Sequence, residues 1–104
     1  MTGRVVVTVY CRGKGRHALA KLLATPDGLH VRIPHTAIGR PSGNRVVNRR
    51  GGELIAPLAD PDDPDLSMIW LAMCAEGVHT IRGAELARAN DTRTTVITVA
   101  PVLR

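Results

Sequence analysis

The chain has 104 residues, a formal charge of +5, two cysteines and no phenylalanine, with Tyr10 and Trp70 as its aromatic residues. That length accommodates one domain, read here as residues 1–104 around a single core. Its longest apolar run, Ser67–Cys74, is too short to cross a bilayer as a helix, which excludes that class of membrane protein.

Charge is divided along the chain. Residues 1–50 hold ten basic residues and one acidic residue, whereas residues 51–104 hold four basic and eight acidic. A core built from Val, Leu, Ile and Ala buries little area per residue. Small domains of that kind often depend on a metal, a disulfide or self-association. Two cysteines without a visible secretory signal suit thiols or metal ligands in a cytoplasmic protein.

Arg4–Cys11 is rich in β-branched residues and predicts a buried strand. It runs into Cys11-Arg-Gly-Lys-Gly-Arg-His17, whose glycines allow the backbone to turn back on itself. His17–Thr25 has helix-favouring composition, but Thr25-Pro26-Asp27-Gly28 is a strong turn signal. Leu29–Ile33 then alternates apolar and polar, so residues 17–33 are read as a β-hairpin.

Pro34–Gly52 reads as a basic loop rich in proline and glycine. Within it Arg45-Val-Val-Asn-Arg-Arg50 is a candidate short strand, with Glu53–Pro57 returning as its partner. Residues 58–65 form an acidic, proline-punctuated loop. Leu66–Cys74 fits either a buried strand or a short helix; the precedent of a strand feeding Cys11 favours a strand. After Cys74-Ala-Glu-Gly-Val-His79, Ala84–Asn90 predicts a short helix and Thr92–Ala100 a closing strand. The expected fold class is α+β, mainly β: a small zinc-ribbon-like domain with one C-terminal helix and a long basic loop.

Cys11, His17, Cys74 and His79 supply two thiolates and two imidazoles, a donor set suited to tetrahedral zinc. His30 or His35 could take the place of His17. The competing readings are that both cysteines are small buried hydrophobes, or that they form a disulfide. Cys74, His79 and Glu76 can be drawn as nucleophile, base and helper, yet no oxyanion element accompanies them, and the expectation is no enzyme. The four aspartates Asp60, Asp62, Asp63 and Asp65 miss the register of a calcium loop.

Arg32, Arg40, Arg45, Arg49 and Arg50 are candidate contacts for a partner. Nucleic acid is one alternative, because phosphate contacts from arginine dominate such affinity. No aromatic residue is interleaved to stack on bases, and an acidic second half offsets the basic first. A protein partner, or a second copy of the chain, is therefore favoured.

The pattern Cys11…Gly15-x-His17-x-Leu19-Ala20-x-x-Leu23-x-Thr25-Pro26-Asp27-Gly28, with Cys74-x-x-Gly77-x-His79 and Glu85-Leu86, resembles small uncharacterised zinc-ribbon-like proteins of actinobacteria and mycobacteriophages. The resemblance covers about half the chain. It implies a zinc-ribbon-like scaffold and a metal, without an activity. It departs where Gly13 or Lys14, and Gly77 or Val78, stand in place of a second knuckle cysteine.

Overall fold

The computed structural model describes residues 3–12, 17–36, 52–58, 68–74 and 77–101. It is mainly β: strands β1 (Arg4–Cys11), β2 (Ala18–Thr25), β3 (Gly28–Thr36), β4 (Gly52–Pro57), β5 (Ile69–Cys74) and β6 (Gly77–Arg82) precede helix α1 (Gly83–Asp91) and strand β7 (Val96–Val99). They form one sheet in the order β6-β5-β3-β2-β1-β7, with β4 also paired to β3. All pairings are antiparallel except β1 with β7.

The β2–β3 hairpin forms where Pro26 and Asp27 occupy the turn between paired Thr25 and Gly28. Thr25 Oγ1 accepts from the Asp27 amide at 3.2 Å and donates to the Gly28 carbonyl at 2.8 Å. Gly28 has φ +118°, a conformation that penalises a side chain. β3 continues through Pro34 to Thr36. Pro34 has no N–H for a ladder, and the β3–β4 register shifts between Ile33 and Thr36.

Glu53–Pro57 was expected to pair with the Arg45 segment. The Arg45 segment lies outside the described residues; among the described ones β4 pairs with β3, from His30 opposite Pro57 to Ile33 opposite Leu54. Exposed Arg32 on β3 meets Glu53 through Nε at 3.1 Å and a terminal guanidinium nitrogen at 2.8 Å. Residues 37–51, which carry Arg40, Arg45, Arg49 and Arg50, lie outside the described residues, as do residues 59–67, which take in all of the acidic 58–65 stretch except Leu58.

Within the Leu66–Cys74 run the described part holds strand β5, Ile69–Cys74, and β6 is a strand the sequence did not announce. Its inward positions are His79 and Ile81, so a polar residue interrupts the apolar alternation that marks a half-buried strand.

Inward-facing residues follow strand parity. On β1 these are Val7, Val9 and Cys11; on β5, Trp70 and Ala72; on β6, His79 and Ile81. Leu22, Val31 and Ile33 add the β2–β3 contribution, and Leu86 and Ala89 close the core from α1. Full burial of a large side chain such as Trp70 or Leu86 contributes about 1.5–3 kcal/mol each. Trp70, wholly buried, is the largest of them, as its scarcity in the sequence suggested.

The sheet is strongly curled. β1 and β5 are three steps apart in strand order, about 14 Å in a flat sheet. Yet the sulfurs at their C-terminal ends, Cys11 Sγ and Cys74 Sγ, are 3.7 Å apart. α1 then carries the chain to β7, whose parallel pairing with β1 requires such a crossover. Among the described residues no helix is long and apolar enough to cross a membrane.

Candidate metal centre

Three strands place three ligand atoms together. Cys11 is the last residue of β1 and Cys74 the last of β5, each continuing the inward series of its strand. His79 lies opposite Ala72 in the β5–β6 ladder and therefore faces the same way. Gly77 pairs with Cys74 and has φ +134°, so the turn returns β6 along β5 without the clash a Cβ would bring. What resembled a metal knuckle in the sequence is a hairpin, and His79 sits within its second strand.

Cys11 is 2 % exposed, His79 0 %, and Cys74 is half-buried. The Cys74 thiol donates toward Cys11 Sγ at 3.7 Å, and His79 Nε2 lies 3.1 Å from Cys11 Sγ. The two sulfurs are not bonded to each other, so the structure contains no Cys11–Cys74 disulfide. Ligand atoms of Cys11, Cys74 and His79 all lie within 4.8 Å of one another.

Those spacings suit a tetrahedral cation. With zinc–sulfur bonds of about 2.3 Å and tetrahedral angles, two thiolates sit about 3.8 Å apart. The observed sulfur separation is 3.7 Å. A sulfur and an imidazole nitrogen around the same ion lie about 3.6 Å apart. The Cys11–His79 contact at 3.1 Å would open slightly on binding. The widest separation would close from at most 4.8 Å. The cysteine–histidine group can therefore hold a metal ion with side-chain adjustments alone.

His17 is not part of this group. Its side chain is exposed, while its backbone carbonyl accepts a 2.9 Å hydrogen bond from the Cys11 amide. The backbone thus brings His17 to the rim beside Cys11 without directing its ring inward. The alternatives do not replace it: His30 Nδ1 lies 3.2 Å from Thr25 Oγ1 at the far hairpin turn, and His35 is exposed on β3. Glu76, the helper of the catalytic reading, lies outside the described residues.

Of the candidate partner contacts, Arg32 is described, and its guanidinium is engaged by Glu53. Sequence reasoning missed that pair because the two residues are brought together by β3–β4 pairing, which carries no local signal. The chain matches no family model, no curated protein and no solved structure.

Proposed function

We propose that this chain is a small, non-catalytic accessory module in which zinc ties the ends of β1 and β5 to β6. The convergence of Cys11, Cys74 and His79 carries this reading. Two thiolates and an imidazole suit a borderline-soft cation such as zinc better than magnesium or calcium. The burial of Cys11 and His79 favours a structural ion over one that must admit a substrate. His17 is the proposed fourth ligand, drawn in from the rim where its backbone already bonds Cys11. A zinc-ribbon-like kinship and an actinobacterial or phage origin belong to the same proposal and rest on the sequence resemblance.

The module's task is to dock a protein, either another chain or a second copy. The uneven charge along the sequence and the lack of aromatic residues within the Arg32–Arg50 segment support this over nucleic acid. Glu53 also occupies the one described arginine of that segment.

Elemental mass spectrometry on untagged protein tests the metal. About one zinc per chain is expected from the four-ligand site; protein that contains no zinc and takes none up contradicts it. For docking, a captured protein that survives nuclease treatment supports the reading. Retention on nucleic acid that falls steeply with salt, and on Arg45→Ala with Arg49→Ala and Arg50→Ala, refutes it.

A further inference from the structure

We propose that Cys74 is an oxidation site resolved by Cys11: hydrogen peroxide converts the Cys74 thiol to a sulfenic acid, and Cys11 closes it into a disulfide. Exposure assigns the roles. Cys74 is half-buried at the end of β5, within reach of a small oxidant, whereas Cys11 is 2 % exposed and shielded from it. The sulfurs lie 3.7 Å apart, with the Cys74 thiol directed at Cys11 Sγ. A disulfide needs about 2.05 Å, so the sulfurs must approach by roughly 1.7 Å, within the range of side-chain rotation.

In the first step the Cys74 sulfur attacks the peroxide O–O bond. An S–O bond forms, the O–O bond breaks, and the departing hydroxide takes the thiol proton and leaves as water. In the second, the Cys11 sulfur attacks the Cys74 sulfur. The S–S bond forms, the S–O bond breaks, and hydroxide leaves as water with the proton of the Cys11 thiol. His79 Nε2, 3.1 Å from Cys11 Sγ, is placed to relay that proton. The two thiols lose two electrons, and one peroxide becomes two waters.

Disulfide formation requires no metal. Its consequence does rest on the zinc reading: both sulfurs are proposed ligands, so disulfide and metal exclude each other, and oxidation releases the ion.

The test treats metal-free and zinc-loaded protein with hydrogen peroxide, followed by intact mass, non-reducing peptide mapping and a zinc-sensitive dye. Metal-free protein is expected to lose two hydrogens per chain and to link the Cys11 and Cys74 peptides within one chain. The rate should fall at least tenfold in urea, where the strand ends separate. Cys11→Ser should halt at a Cys74 sulfenic acid that dimedone traps, and Cys74→Ser should react at least tenfold more slowly. Absence of the intrachain link, or first oxidation at Cys11, overturns the proposal. Zinc-loaded protein should react more slowly and release one zinc per disulfide. A disulfide that forms equally fast with zinc present refutes the metal reading while supporting the oxidation site.

Discussion

Removing zinc should lower the melting temperature far more than losing a surface interaction would. The proposed ion joins β1 to the β5–β6 hairpin, which lies far along the chain, Cys11 being 63 positions from Cys74 and 68 from His79. An unfolded chain does not hold these ligands together, so binding energy becomes folding energy. With zinc at a thousand times its dissociation constant, the native state gains about 4 kcal/mol. At about 4–8 °C per kcal/mol for a domain of this size, chelation should lower the melting temperature by on the order of 20 °C. The assay is thermal unfolding followed by circular dichroism, with excess zinc and with a chelator that does not itself bind the protein. His79→Ala should lose most of the difference. His17→Ala should lose less, because the other three ligands converge without it. Equal melting with zinc and chelator, in protein shown to be folded, would refute the reasoning.

Gly77→Ala puts a side chain at φ +134° in the turn that sets His79 against Cys74, and should cost about 1–3 kcal/mol by urea unfolding and weaken zinc binding; unchanged stability and affinity would contradict that role. Trp70 is wholly buried, and its indole Nε1 has no hydrogen-bond partner among the described residues. Trp70→Ala should cost about 3–5 kcal/mol, whereas Trp70→Phe should cost much less because it also removes the unsatisfied donor. Equal costs in urea unfolding would show that the donor is satisfied. The Arg32–Glu53 pair is about half exposed, 46 % and 49 % by side chain. A double-mutant cycle with Arg32→Ala and Glu53→Ala should give a coupling of at most about 1 kcal/mol, falling with salt; a larger, salt-independent value would contradict a solvent-screened pair.

Local chemistry explains which parts of the fold were legible in the sequence. β-branched composition announced β1, the Thr25–Gly28 turn announced the first hairpin, and Ala84–Asn90 fell within α1. β6 was obscured because His79 takes an inward position that an apolar residue would ordinarily fill. The pairing of β4 with β3 was not anticipated, because strand partners distant in sequence leave no mark on composition. Cys11, Cys74 and His79 could be nominated from their chemistry, but their convergence depends on the curl of the sheet. A finer signal was available: Cys11 shares the parity of Val7 and Val9, and Cys74 that of Trp70 and Ala72, which places both cysteines on the buried face. His17 follows the turn from β1 and has no such parity to orient it.

X-ray absorption at the zinc edge, on protein purified without a metal-binding tag, tests the metal centre most directly. Cys11 and Cys74 predict two sulfur neighbours at about 2.3 Å, and His79 with His17 two nitrogen neighbours at about 2.0–2.1 Å, with sulfur lost stepwise in Cys11→Ser and Cys74→Ser. A shell of nitrogen and oxygen alone, or one unchanged by those substitutions, would contradict a zinc held by these residues.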